Sequence, residues 1–190
     1  MIPQIVVIGA SSGGPAALQT LLSGLPTEFP APVVIVLPRG KQAGSDPLRL
    51  LQRASRLPIR EPEDKEGMAP GRIYLAPGDY HLLLEKGHFA LSLEAPEHHA
   101  RPSIDLLFES AADAYGEGVM GIILTGAGDD GARGLAQIKA RGGLTIVQDP
   151  TTAEAPALPE AAIEATEVDQ VLPLPQIARF LNSLCPAIAR

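Results

Sequence analysis

Two serines stand in a turn of small residues near the start of the chain. Ser11 and Ser12 lie within residues 9–14 (GASSGG), directly after the apolar run 5–8 and before a helix-like pattern. A serine at a strand-to-helix turn is held clear of the sheet, and glycines let a substrate approach the backbone. The following helix offers free N–H groups and a partial positive charge where an oxyanion would form. Ser11 is therefore a candidate nucleophile, and a turn whose serine only caps the helix is the alternative.

A second loop of small residues carries two aspartates. Asp129 and Asp130 lie within residues 126–131 (GAGDDG), after an apolar run that ends at Thr125. An aspartate at a strand end can orient the base of a catalytic triad. Aspartates in such loops also act as loop caps or as ligands of a hard cation. Because ligands of open parallel sheets bind beyond the carboxyl ends of the strands, we expect the two loops to share one crevice.

The serine turn could instead hold a nucleotide phosphate. The spacing of Gly9 and Gly13 fits the cofactor turn of short-chain dehydrogenases, but Pro15 stands where their third glycine would be. The tyrosine and the lysine four residues later that those enzymes use are absent from the sequence. No Gly-Lys-Ser/Thr follows the turn, which argues against a Walker-type phosphate loop. The sequence therefore disfavours nucleotide binding.

Alternating strand and helix patterns surround these two loops. Continuous apolar runs predict buried strands, and apolar residues at helical spacing predict helices. The predicted strands are residues 5–8, 33–37, 73–76, 119–125 and 144–148, with a hairpin at 81–84 and 89–93. The predicted helices are residues 16–22, 48–54, 104–115, 135–140, 159–165 and 177–184. This alternation predicts an α/β fold: a doubly wound, mostly parallel sheet flanked by helices on both faces, with an inserted β-hairpin.

The composition narrows the class of protein. The 190 residues are 45% hydrophobic, which is enough for one domain with a substantial core. A net charge of -7 argues against nucleic-acid binding, which normally shows a basic stripe. Cys185 is the one cysteine, so no internal disulfide can form. The sequence shows no signal peptide and no apolar run approaching the ~20 residues of a membrane span. We therefore expect a cytoplasmic protein that is not inserted in a membrane.

Together these segments resemble the catalytic domain of CheB, the chemoreceptor protein-glutamate methylesterase. Four motifs carry the resemblance, which covers nearly the whole chain. They are IGASSGG at 8–14, APGDYH at 76–81, RPSID at 101–105 and LTGAGDDG at 124–131. The resemblance implies one methylesterase domain over residues 1–190, with no receiver domain, no cofactor and no metal. It implies a carboxylic ester hydrolase of chemotaxis signalling that releases methanol from glutamate methyl esters.

The resemblance also assigns roles to individual residues. Ser11 takes the place of the family's nucleophile, and Asp130 takes the place of its triad aspartate. The family's histidine lies just beyond the second strand, and an ungapped count from that strand reaches Arg39. Arginine stays protonated and cannot accept the serine proton as a general base. His81, within a shared motif, is the first candidate for a substitute base, and His99 is the next.

Four further residues are expected beside the substrate. They are Ser12, Gly13, Arg101 and Ala127, the last of which replaces a methionine of the family. The implied partner is a methylated helix of a chemoreceptor or a related sensory protein. The family's best-known architecture also has a receiver domain that blocks the site until phosphorylated. We expect this control either to be missing from this chain or to be supplied by a separate receiver protein.

Arg39 also motivates a hypothesis of another class. A catalytically impaired CheB-like module would bind the receptor or a signalling partner without turnover. A third possibility is hydrolysis of a different small ester or amide through rearranged residues. Catalysis and silent binding therefore both stay open on the sequence.

Overall fold

Parallel strands form the centre of the molecule. The structure, a computed structural model, describes residues 2–38, 46–97 and 99–185. The strands are β1 (Ile5–Gly9), β2 (Val33–Val36), β3 (Ile59–Arg60), β4 (Ile73–Leu75), β5 (His81–Glu85), β6 (His88–Ser92), β7 (Val119–Ile123), β8 (Leu144–Gln148) and β9 (Gln170–Leu172). The helices are α1 (Gly14–Ser23), α2 (Pro47–Ala54), α3 (Ile104–Tyr115), α4 (Ala132–Ala140), α5 (Ala157–Ala165) and α6 (Leu174–Ser183).

The strand order contains one reversal, and it determines where a ligand can bind. Within the described residues, seven strands pair in parallel in the order β3-β4-β2-β1-β7-β8-β9. Strands β2, β3 and β4 lie on one side of β1, and the later strands β7, β8 and β9 lie on its other side. The loops that leave β1 and β7 therefore diverge and open a crevice between them.

Two apolar layers cover the sheet, one on each face. Every residue of β1, β2 and β7 is buried, as continuous apolar runs predict for strands covered on both sides. Helices α1, α2 and α6 pack on one face through buried leucine and isoleucine side chains. Helices α3, α4 and α5 pack on the other face together with the antiparallel hairpin β5–β6. The predicted fold class is confirmed.

Some element bounds differ from the sequence prediction. Strand β7 ends at Ile123, two residues before the end of its apolar run, although Leu124 N–H still donates to the Gly9 carbonyl of β1 (2.9 Å). Helices α4, α5 and α6 begin two or three residues earlier than their apolar periodicity indicates, because alanine, glycine, proline or polar residues in their first turns interrupt the apolar pattern. Strands β3 and β9 were not predicted. They are two and three residues long at the two edges of the sheet, too short for an apolar pattern.

No helix in the described ranges has the length and apolar character needed to cross a membrane. The longest, α3, has 12 residues and carries charged side chains.

Candidate functional site

Ser11 occupies the turn that joins β1 to α1. Its N–H donates to the Thr125 carbonyl (3.0 Å), and its carbonyl accepts from Gly14 N–H (2.8 Å). Gly13 has φ 74°, and a Cβ there would lie 2.8 Å from Cβ of Glu154, so only glycine fits. The turn is therefore fixed from both sides, while the Ser11 hydroxyl bonds to nothing in the described part of the chain.

Two backbone donors stand beside that hydroxyl. The N–H groups of Ser12 and Gly13 donate to no acceptor within residues 2–38, 46–97 and 99–185. Both precede the first turn of α1, where the helix contributes a partial positive charge. Free N–H groups in this position can hold the negative oxygen of a tetrahedral intermediate.

Thr125 ties the serine turn to the end of β7. This residue is buried, and its hydroxyl lies 3.0 Å from the Ser12 carbonyl, to which it donates. The same hydroxyl accepts from Ala155 N–H (2.8 Å), and Thr125 N–H donates to the Gln148 side chain (2.9 Å). Thr125 thus positions the serine turn, a role that sequence reasoning missed because a threonine at a strand end carries no distinctive signal.

Asp130 faces the start of α3. Its carboxylate accepts from the Ser103 hydroxyl (2.8 Å) and from the N–H groups of Ile104 (2.9 Å) and Asp105 (2.9 Å). A helix N-terminus attracts a carboxylate because its N–H groups are unpaired and carry partial positive charge. Three donors therefore fix the orientation of Asp130 and leave its negative charge at the rim of the crevice.

The geometry brings Ser11 and Asp130 to one place. They line the same small pocket of about 160 Å³ together with Ala127 and Pro38. Gly126 makes the approach possible, because a Cβ there would lie 3.0 Å from Cβ of Ser11. The two loops share one crevice, as the strand order requires.

A wider pocket of about 680 Å³ also has Ser11 in its wall. Ser12, Gly13, His99 and Arg101 line it as well. The four residues predicted beside the substrate are therefore all found in the walls of the two pockets that Ser11 lines. Their contact with a substrate stays a prediction.

Arg101 forms one wall of the wider pocket and is held by the backbone. Its Nη1 donates to the carbonyls of Leu93 (3.1 Å) and Glu94 (3.0 Å). These bonds fix the guanidinium against the segment that follows β6, so its positive charge stays beside the pocket.

His81 is unsuited to the role of substitute base in this arrangement. The side chain is fully buried, and its Nδ1 accepts from Ser103 N–H (3.2 Å). Its Nε2 lies 3.0 Å from the Ala95 carbonyl, to which it donates in the tautomer that these partners require. Neither ring nitrogen is left to accept a proton from Ser11. His81 instead supports the start of α3. This role could not be predicted from the sequence, because the partners of both ring nitrogens depend on tertiary contacts.

The other two residues considered for the place of the family's histidine are His99 and Arg39. His99 is exposed and lines the wider pocket with Ser11, in a tight turn where Glu97 and Ala100 exchange backbone hydrogen bonds. Arg39 lies outside the described residues. Pro38, the residue before it, lines the small pocket together with Ser11.

A buried carboxylate stands behind this site. Asp105 is 1% exposed, and its Oδ1 accepts from Gly131 N–H (2.9 Å) and Gly134 N–H (2.7 Å). Burial raises the pKa of Asp105; the Gly134 hydrogen bond opposes the increase, and the nearby charge of Asp130 adds to it. Asp105 therefore binds the start of α4 at a point next to Asp130.

Comparison with known proteins adds a family and a set of relatives. The model of the CheB methylesterase family matches residues 6–181. A protein of Leptospira interrogans, named putative protein-glutamate methylesterase/protein-glutamine glutaminase, is 47% identical over 182 residues, which is 95% of this chain and 94% of that protein. A protein of Anaeromyxobacter dehalogenans, named protein-glutamate methylesterase/protein-glutamine glutaminase 2, is 44% identical over 95% of this chain and 53% of its own length.

A solved structure shows the same fold. The crystal structure of the CheB methylesterase catalytic domain of Thermotoga maritima superposes with a TM-score of 0.91 at 35% identity. The match covers 97% of this chain and all of that domain.

Proposed function

The chain belongs to the CheB methylesterase family, and on that premise we propose that it hydrolyses the methyl ester of glutamate side chains in a protein, with Ser11 as nucleophile. One observation carries the proposal: Ser11, next to two free backbone N–H groups, lines a single pocket with Asp130 at the reversal of strand order. In this proposal residues 1–190 act as one methylesterase domain.

The pocket supports a two-step hydrolysis. The Ser11 oxygen bonds to the ester carbonyl carbon while its proton passes to a base. The N–H groups of Ser12 and Gly13 stabilise the negative oxygen, and the bond to the methoxy group breaks as the base returns the proton to give methanol. Water then attacks the acyl-serine, again losing a proton to the base, which restores the Ser11 hydroxyl and releases glutamate.

His99 is our candidate for that base. It is the histidine of the described chain that shares a pocket wall with Ser11, and it is exposed, so its ring can reach a bound substrate. Its turn is fixed because Glu97 accepts from the Arg133 guanidinium at 3.1 Å. Asp130 would stabilise the positive charge that the base acquires, since its carboxylate lines the same small pocket as Ser11.

An amide substrate fits the same chemistry. The relatives from Leptospira interrogans and Anaeromyxobacter dehalogenans carry protein-glutamine glutaminase in their names. Attack by Ser11 on a glutamine side chain would release ammonia in place of methanol. Esters react faster because alkoxide is the better leaving group, so we propose the methyl ester as the main substrate.

The proposed partner is a methylated helix of a chemoreceptor or a related sensory protein, and we place the reaction in the cytoplasm. Regulation by a separate receiver protein that covers the Ser11 pocket belongs to the same proposal. Arg101 in the wall of the wider pocket can bind a carboxylate of such a helix.

A methanol assay with a covalent probe tests the proposal. The purified protein is incubated with receptor fragments that carry glutamate methyl esters, and released methanol is measured before and after treatment with a fluorophosphonate. We expect methanol release, its loss after treatment, and the probe on the peptide that contains Ser11. Binding of the fragments without methanol release would favour the catalytically impaired module. Labelling of Ser11 without release would indicate another ester or amide as substrate.

Replacing His99 by glutamine tests the assignment of the base. His99→Gln is expected to lower kcat for methanol release by about 10²-fold, because a positioned general base contributes 10²–10⁴-fold. His88→Gln is the matched control, since His88 pairs with Glu85 on the hairpin, away from the pockets of Ser11. Equal kcat values for the two variants would remove His99 from the mechanism.

A further inference from the structure

We propose that Asp105 is a positioning residue of this site: its carboxylate holds the loop that carries Asp130, and so sets where the acidic side of the Ser11 pocket lies. The proposal rests on the hydrolase function proposed above. It adds a residue that touches neither the pocket of Ser11 and Asp130 nor a substrate.

The two helices α3 and α4 exchange their capping carboxylates. Asp130, the second residue before α4, accepts from the N–H groups of Ile104 and Asp105 at the start of α3. Asp105, the second residue of α3, accepts in return from the N–H groups of Gly131 and Gly134 at the start of α4. Each carboxylate is therefore fixed by the segment that presents the other.

Glycines allow the two helix starts to come this close. A Cβ on Gly131 would lie 2.6 Å from Cγ2 of Ile104, and a Cβ on Gly134 would lie 2.9 Å from the Asp105 carbonyl. Gly131 also has φ 118°, a conformation that other residues rarely adopt. Close approach alone could be achieved with apolar packing. Only an acceptor at position 105 can also bind the two N–H groups of α4.

Burying a carboxylate costs free energy unless hydrogen bonds or an opposite charge compensate for the lost contact with water. Burial raises the pKa of Asp105, and the charge of Asp130, from the loop before α4, adds to that increase. The compensating charge is Arg133 of α4, whose Nη2 lies 3.8 Å from Oδ2 of Asp105. Asp129 and Glu164 line the same groove between α4 and α5. These surroundings therefore disfavour a negative charge on Asp105, whereas the N–H groups of Gly131 and Gly134 favour a hydrogen-bond acceptor there.

Loss of the acceptor has a direct consequence for the pocket. Gly131 immediately follows Asp130. If its N–H loses the hydrogen bond to Asp105, the peptide unit that joins Asp130 and Gly131 is no longer held in place. The start of α4 can then shift, and Asp130 shifts with it relative to Ser11. A displacement of about 1 Å in a catalytic arrangement can cost about 10²-fold in rate.

Two substitutions of Asp105 distinguish the loss of its hydrogen-bond acceptor from the loss of its negative charge. Asp105→Asn keeps an oxygen that can accept from both glycines, whereas Asp105→Ala removes it. We expect Asp105→Ala to lower kcat for methanol release by about 10²-fold with KM within about twofold, and Asp105→Asn to stay within about threefold of the parent. Asp105→Ser, too short to reach both donors, replaces the alanine variant if the latter does not fold.

Asp169→Ala is the matched control for lost stability. Asp169 accepts from Thr145 N–H (2.9 Å) and the Thr145 hydroxyl (2.8 Å) at the amino end of β8, whereas Ser11 follows the carboxyl end of β1. The Asp169→Ala substitution should lower Tm but leave kcat unchanged at a temperature where the protein is folded. If Asp105→Ala and Asp169→Ala have the same kcat, Asp105 has only a structural role and the proposal is wrong.

Amide hydrogen exchange of Ile104 gives a readout that does not need turnover. Its N–H donates to Asp130, so the exchange should accelerate by about tenfold or more in Asp105→Ala and little in Asp105→Asn. Unchanged exchange in Asp105→Ala would overturn the positioning role even if the parent protein is active. Conversely, an inactive parent with accelerated exchange would contradict the hydrolase function and leave the positioning of Asp130 supported.

Discussion

The Ser11→Ala variant is expected to release methanol from methylated receptor fragments about 10⁴-fold more slowly than the parent, because loss of the nucleophile leaves only the residual effect of the oxyanion site and binding. The Ser11 hydroxyl makes no hydrogen bond to the described residues, so its removal should leave Tm within about 2 °C, in line with small effects of substitutions that break no contact. The measurements are methanol release, fluorophosphonate labelling and thermal unfolding.

Ser23→Ala provides a matched control for Ser11→Ala. Ser23 ends the same helix, α1, and its hydroxyl bonds only to the Thr20 carbonyl on the exposed surface. This variant should keep the parent's rate and its labelling by the probe. Equal methanol release by Ser11→Ala and Ser23→Ala would show that the hydrolysis does not pass through an acyl-serine at Ser11.

Most of the fold could be predicted from the sequence because the sheet is buried on both faces. Continuous apolar runs as short as β1 and β7 indicate buried strands, because buried helices are normally longer. The small-residue turns mark where these strands end. The predicted helix 104–115 and strand 144–148 agree with α3 and β8. The edge strands β3 and β9 could not be predicted, since their pairing comes from neighbouring strands and not from their own pattern.

The candidate site was predictable in its loops but not in its contacts. The two glycine-rich turns indicated Ser11 and the pair Asp129 and Asp130, because turn chemistry is local and the strand order brings turns of this kind together. The resemblance to the CheB family then selected Asp130 of the pair. His81 could not be judged from sequence, since both ring nitrogens are bound by backbone groups far along the chain. The reciprocal bonds of Asp105 and Asp130 are also non-local, because they join residues 25 or more positions apart.

The Asp130→Asn variant should show the other large effect, on both rate and stability. An amide has one oxygen, so its NH₂ group must face at least one of the three donors that the carboxylate accepts from. An unsatisfied buried donor costs about 1–3 kcal/mol. At about 2–4 °C per kcal/mol for a chain of this size, Tm should fall by roughly 2–12 °C.

The same substitution removes one of the two carboxylates that line the small pocket of Ser11, Asp129 being the other. A base that gains a proton during attack then loses the carboxylate that the start of α3 holds in place, and such a loss can lower kcat by about 10²–10⁴-fold. Rates and Tm are measured on the same preparation, at a temperature well below the unfolding of the variant, so that a lower folded fraction cannot account for the lower rate.

Asp129→Asn is the matched control for Asp130→Asn. The neighbouring residue Asp129 is exposed, whereas Asp130 accepts from the N–H groups at the start of α3. We therefore expect this variant to keep kcat within about fivefold and Tm within about 2 °C, as is usual for exposed substitutions. If Asp129→Asn were the slower of the two variants, the acidic residue of the reaction would be Asp129. If neither changed kcat, the aspartate loop would have only its structural role at the start of α3.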